Sequence, residues 1–232
     1  MIEAGARIRG QKRRASLSPS LIVLVLAIAV LVGASVGLAV QLLNRRTTAA
    51  PTVAQARFGM HGAASWTAGS HPAPAIDTLR DQFGKRFSLA SLRGKTVAIA
   101  FFDSHCHQSC PLEGRALSAA ERSLPRSQRP VLVAVSVNTQ DTPASVAAAV
   151  RAWGLSNVAP WYWLMGTRKQ LAPVWAKYHI YVSPRPINGD IEHTEAAYLV
   201  DRRGYERSAY LWPFEPRFVT LDLRTLAGRG KP

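Results

Sequence analysis

The chain has 232 residues, 47% hydrophobic and 19% charged, enough apolar material for one packed domain with appendages and too much for a disordered or collagen-like chain. Its formal charge is +15, but the surplus is spread, with 8 basic residues to 1 acidic up to Arg57 and 21 to 13 beyond. The clustered basic stripe of a nucleic-acid footprint is missing, and two cysteines exclude a disulfide-dense scaffold.

Residues 1–20 are rich in Arg and Lys and are read as a basic tail, expected on the cytoplasmic side. Leu21–Leu43 follows, 23 residues without a charge and with one amide, Gln41. At about 1.5 Å per residue, a helix of that length crosses the ~30 Å hydrocarbon core of a bilayer, so 21–43 is predicted to be a transmembrane signal anchor. Arg7, Arg9, Lys12, Arg13 and Arg14 precede it, while Arg45, Arg46 and Arg57 follow. That bias predicts a cytoplasmic amino terminus and a single-pass protein of the inner (plasma) membrane, its bulk on the periplasmic, extracytoplasmic side. Residues 44–73, rich in Ala, Thr, Gly, Ser and Pro, read as a flexible tether, and 74–232 as the one globular domain.

Within that domain, Thr96–Phe102 (TVAIAFF) and Val131–Val137 (VLVAVSV) are continuous apolar runs, which suit parallel strands covered on both faces. Pro111–Leu124 between them has helical spacing. Asp141-Thr142-Pro143 predicts a helix start with proline in the first turn, and Ala144–Trp153 continues it. Trp161–Leu164 reads as a short strand. A helix from Thr167 towards His179 carries an awkward Pro173. Asn188-Gly189 predicts a tight hairpin turn. Ala196–Val200 and Arg207–Leu211 predict an antiparallel pair turning near Arg203-Gly204, and 215–227 a last helix. The order β-α-β-α-β-α-β-β-α fits an α/β, thioredoxin-like mixed sheet flanked by helices, with an added segment before the final hairpin.

The chemistry concentrates at Cys106 and Cys110, just after the first apolar strand and at a helix start. An i, i+4 spacing puts both sulfurs on one helix face, and a helix amino terminus favours thiolate. Two close thiolates form a disulfide or hold a soft metal such as Cu(I). A structural disulfide across so short a loop would stabilise little. A dithiol oxidoreductase would want two intervening residues rather than three. It would also want a proline before Ala196–Val200, yet none occurs from Ile187 to Tyr210, and that turn contains His193 instead.

Taken together, DQFGKRFSLASLRGKTVAIAFF (81–102), HCHQSCP (105–111), QDTP (140–143), EHTEAAYLVDRRG (192–204) and WPFEPRFVTLDLRTL (212–226) resemble the Sco/SenC copper-handling proteins. The family's Cys-x-x-x-Cys-Pro falls on Cys106, Cys110 and Pro111, and its distal histidine on His193. The resemblance implies a membrane-anchored, non-enzymatic copper metallochaperone holding one copper, Cu(I) and/or Cu(II), through Cys106, Cys110 and His193. Its implied partner is the copper-site subunit of cytochrome c oxidase, with another periplasmic copper chaperone or a thiol reductant as a second. The runner-up is a thiol-disulfide reductase or redox sensor using Cys106 and Cys110 as a redox-active disulfide; a peroxidase-like enzyme is the weakest alternative.

The donor set supports the implied metal on its own terms. Two thiolates and an imidazole suit Cu(I), whereas a structural zinc site would be closed by a fourth ligand. The chain departs from the resemblance in three places: His107-Gln108-Ser109 replaces Pro-Asp-Val, Asn138-Thr139 replaces Asp-Pro, and Glu192 replaces an aspartate. His105 and His107 therefore flank Cys106 as candidate extra ligands. His61 and His71, in the expected tether, are not expected to ligate, and His179 ends a helix. Trp153, Trp161, Trp163 and Trp175 are expected to pack rather than to bind, and Asp103 to tune the cysteines or cap their loop.

Overall fold

The computed structural model describes residues 58–157, 160–187 and 189–228, together with Ser20. The expected anchor at 21–43, most of the tail and Asn188 lie outside the described residues. Among the described residues, no helix is long and apolar enough to cross a membrane.

Six strands form one mixed sheet in the order β1-β6-β5-β2-β3-β4. They are β1 (Ala64–Ser65), β2 (Val97–Phe102), β3 (Val131–Ser136), β4 (Trp161–Leu164), β5 (Ala196–Val200) and β6 (Glu206–Leu211). β2, β3 and β4 run parallel, with Val97 opposite Val131 and Leu132 opposite Trp161. β5 and β6 are antiparallel additions beside β2. Within residues 58–228 the α-helices are α1 (Cys110–Arg122), α2 (Pro143–Ala152), α3 (Arg168–Lys177) and α4 (Pro216–Gly228).

Every residue of β2 and of β3 is buried, and the pleat divides them between two cores. Ala98, Ala100, Phe102, Leu132 and Ala134 face α1, α2 and α4, where Leu117, Val150, Trp153 and Leu223 complete one cluster. Val97, Ile99, Phe101, Val133 and Val135 face α3, packed with Leu171, Val174 and Trp175. The alanines lie on the side that must admit three helices, and the bulky residues on the side that meets one. Each buried large side chain contributes roughly 1.5–3 kcal/mol. Trp153, Trp163 and Trp175 are core residues, as their composition led one to expect, and Trp161 packs against the core partly buried.

The predicted helix starts hold. At α2, Ser145 N–H donates to Thr142 Oγ1 (3.1 Å) and Thr142 N–H to Ser145 Oγ (2.9 Å), a reciprocal cap ahead of Pro143. Pro173 stays inside α3, where Leu171, Val174 and Trp175 anchor the helix in the core. Ile187 and Asp190 pair as an antiparallel bridge around Gly189, whose φ of +90° favours glycine.

The boundary expected at residue 74 is corrected: residues from about 60 already belong to the folded unit. Met60 is fully buried in the α1/α4 core, and Ala64–Ser65 pairs with Ala209 and Ser208 of β6. His61, placed by sequence in a tether, donates its backbone N–H to the Asp222 carboxylate (2.9 Å) and sets Nδ1 2.6 Å from Asp222 Oδ1. The physical reason is the open edge of β6, whose backbone groups need partners. Gly62 permits the approach, because a Cβ there would stand 2.4 Å from the Ala209 carbonyl oxygen.

Candidate metal centre

The carboxyl ends of β2 and β3 leave a crevice at one end of the sheet, the usual place for a site in an open α/β fold. The loop after β2 carries both cysteines. It is nucleated by Asp103, whose side chain accepts from His105 N–H (2.8 Å) and whose carbonyl accepts from Cys106 N–H (3.1 Å). Cys110 opens α1 with Pro111 behind it, and Ser109 O accepts the first helical N–H groups, from Leu112 and Glu113. Cys106 is half-buried and Cys110 fully buried; both are free thiols.

His193 reaches them from the added segment between α3 and β5. There the chain doubles back on itself: Val182 bridges His193, Ser183 N–H donates to Glu192 O, and Thr194 N–H donates to Tyr181 O. This ribbon sets His193 Nε2 3.4 Å from Cys110 Sγ. The other ring nitrogen, Nδ1, lies 3.0 Å from Thr194 O, a pure acceptor, so Nδ1 carries the proton and the Nε2 lone pair faces the sulfur.

The two thiols are driven apart in acidity. Cys106 is held down at about 6, chiefly because the Cys110 thiol donates to it, with the Cys110 and Gln108 N–H groups helping against burial and the Asp190 charge. Cys110 is pushed far above the ordinary thiol range by sharing its proton with Cys106 and by burial. Burial lowers His193, which is therefore a neutral imidazole near neutral pH. Behind the pair, Glu113 is fully buried without a hydrogen-bond partner, and desolvation raises it, with the Glu195 and Cys106 charges adding.

Two contacts that no sequence motif announces clamp this arrangement. Ser109 Oγ donates to Glu195 Oε1, tying the cysteine loop to the end of the added segment that carries His193. Glu195 occupies the turn where a dithiol oxidoreductase would place its proline. The His107 N–H donates to Asp190 (3.3 Å), a second tie between the same two segments. A cavity of about 180 Å³ opens beside Cys106 and His193, rimmed by Asp190, Glu192 and Glu195.

The structure thus brings together Cys106, Cys110 and His193, and it does not bring His105 or His107 to the sulfurs. His105 turns to Asp103 and Asp141, its Nδ1 3.6 and 3.4 Å from their Oδ1 atoms. His107 is exposed beside Asp190. The donor set fits a soft metal. Metal–sulfur and metal–nitrogen bonds of about 2.3 and 2.05 Å subtend roughly 3.6 Å at a tetrahedral angle, against the observed 3.4 Å. An accessible cavity on one side leaves a position open for a further ligand or a partner.

A thioredoxin-like domain whose only two cysteines meet one histidine at the sheet's carboxyl end defines a soft-metal or dithiol protein. The chain belongs to the SCO1/SenC family, whose sequence model matches residues 77–227. Among solved structures it is similar to ScoI from Bradyrhizobium japonicum with copper bound, at 28% identity and a TM-score of 0.57, over 67% of this chain and 99% of that one. It is also similar to yeast Sco1 with copper bound, at 22% identity and a TM-score of 0.57, over 70% of this chain and 91% of that one. A third match is BsSco, described as a member of the Sco family of cytochrome c oxidase assembly proteins with a disulfide switch. It shows 18% identity and a TM-score of 0.57 over 68% of this chain and 95% of that one. No curated protein sequence matches significantly.

Proposed function

We propose that this chain is a membrane-anchored copper metallochaperone that binds one copper through Cys106, Cys110 and His193 and supports assembly of the copper site of cytochrome c oxidase. The observation that carries the reading is the Nε2 lone pair of His193, fixed by Thr194 and aimed at Cys110 Sγ from 3.4 Å. A dithiol exchanger needs no third donor there. The copper-bound relatives in the same family support the choice of metal. In this reading 21–43 spans the inner membrane, the amino terminus is cytoplasmic, and the domain works on the periplasmic side beside the oxidase subunit that receives the copper. Copper is cargo, and the chain is not an enzyme.

The second reading is a thiol-disulfide reductase or redox sensor acting on the oxidase's copper-site cysteines. It is favoured by the acidity split, which leaves Cys106 a thiolate at neutral pH while Cys110 keeps its proton. The two readings part at His193. In cells lacking the native gene, His193→Ala is expected to leave oxidase copper-site loading as defective as Cys106→Ala does. If His193→Ala restores full oxidase activity, the metal reading fails and the dithiol reading stands.

A further inference from the structure

One loop turn away from the thiol pair, three donors converge that the proposed function does not use. Asp103 closes β2, Asp141 precedes α2, and His105 lies between Asp103 and Cys106. One ligand atom from each, Asp103 Oδ1, His105 Nδ1 and Asp141 Oδ1, lies within 4.8 Å of the other two. The imidazole nitrogen stands 3.6 and 3.4 Å from the two carboxylate oxygens. Metal–oxygen and metal–nitrogen bonds of about 2.1 Å make ligand edges of roughly 3.0 Å in an octahedron and 3.4 Å in a tetrahedron. The triad is therefore already close to a coordination face.

Charge supplies an independent reason. The Asp103 and Asp141 side chains are each only 1% exposed. Among the described residues no lysine or arginine comes within 4.0 Å of either, and the half-exposed His105 is their sole ionic partner. Two neighbouring buried carboxylates without a fixed cation are costly. Burial and the Asp103 charge do raise Asp141, opposed by the Ser104 and Ser136 hydroxyls. A divalent ion would supply the missing charge, reached from solvent along the exposed edge of His105.

The carboxylates are also held in place, as metal-ligating carboxylates are. Asp103 Oδ1 accepts from His105 N–H (2.8 Å) and Asn138 Nδ2 (3.0 Å). Asp141 Oδ1 accepts from Ser104 N–H (3.1 Å) and Ser104 Oγ (2.6 Å). Asp141 Oδ2 accepts from Ser136 Oγ (2.6 Å) and Trp163 Nε1 (3.2 Å). Each Oδ1 must accept the metal beside those donors, which the rotatable Ser104 hydroxyl allows. We propose that Asp103, His105 and Asp141 form a second metal site, distinct from the thiol pair, for a divalent ion of borderline character such as Zn(II) or Cu(II). Two oxygens and one imidazole nitrogen suit such ions and do not suit Cu(I), so a borderline site and a soft site lie side by side. The second site stands whether or not the thiol pair carries copper.

The test removes the thiol site first. The full chain bearing Cys106→Ser, Cys110→Ser and His193→Ala, its fold checked by circular dichroism, is dialysed to equilibrium against Zn(II). One Zn(II) per chain is expected, and adding His105→Ala should weaken it at least about 100-fold, the upper end of what even outer groups command at metal sites. His105 is half-exposed, so its truncation leaves the core intact. In parallel, His105→Ala in the otherwise unaltered chain should lower total bound Zn(II) by one per chain, a readout that does not depend on the triple variant folding. No Zn(II) on the triple variant, or Zn(II) binding indifferent to His105→Ala, would overturn the site and leave the triad as a hydrogen-bond network only.

Discussion

Replacing Cys110 by alanine should raise the pKa of Cys106 towards its ordinary value, because the buried Cys110 thiol is the main donor that steadies the Cys106 thiolate. With Cys106 at about 6 instead of 9.0, roughly nine-tenths of it is thiolate at pH 7 in the parent, against about one-hundredth in the variant, a ratio near 90. Reactivity does not follow that ratio. A thiolate three pH units less basic is intrinsically about 15–30-fold less nucleophilic, so the net gain at pH 7 is only about 3–6-fold. The discriminating quantity is accordingly the pH midpoint rather than the rate. Metal-free reduced protein is treated with a small aromatic disulfide over pH 4–10, and first attack at Cys106 is followed by mass. The parent should show a midpoint near pH 6, and Cys110→Ala a midpoint at least one pH unit higher. A parent midpoint near pH 9, or one that Cys110→Ala leaves in place, would refute the argument that the two sulfurs share a proton.

Copper affinity should carry the same signature. Cys110 must give up its proton at any accessible pH and Cys106 only below about 6. The logarithm of the binding constant should thus rise by one per pH unit above pH 6 and by two below it, measured by competition with a pH-calibrated chelator. Ser109→Ala cuts the tie to Glu195 and should weaken copper about tenfold while the circular dichroism spectrum is unchanged. Glu121 is buried with both carboxylate oxygens unpartnered, and burial raises it to about 8, against the pull of Arg129 and Arg122. Its stabilising contribution is full below pH 4.5 and is lost as pH rises through 8, a change on the order of 3–5 kcal/mol. Glu121→Gln should accordingly melt several degrees above the parent at pH 9 and close to it at pH 5; equal pH dependence in both would contradict the assignment.

The fold's frame was legible because its strands are unusually apolar. TVAIAFF and VLVAVSV can sit only in the middle of a covered sheet, and they appear as β2 and β3 within a residue of the expected ends. Proline and threonine marked the start of α2 for the same reason they cap it. The short edge strand β1 escaped because two residues, Ala64 and Ser65, carry no periodicity, and what fixes them is the partner edge of β6 and the Asp222 carboxylate far along the chain. At the site, the cysteine pair and His193 were visible as residue types in a recognisable order. What orients them was not: the Thr194 carbonyl is backbone, and Ser109 meets Glu195 only once the added segment has folded back. Likewise, nothing in the chain order pairs Asp103 with Asp141, since β3 lies between them and parallel pairing is what brings their ends together.

The account stands or falls on whether three residues make one soft-metal site. Copper stoichiometry on the reduced full chain, measured under a chelator that sequesters loosely held ions, tests this most directly when Cys106→Ala and His193→Ala are measured beside the parent. One Cu(I) per parent chain, lost from both variants, is the predicted result. No tightly held copper in the parent, or copper retained in full by His193→Ala, would contradict it.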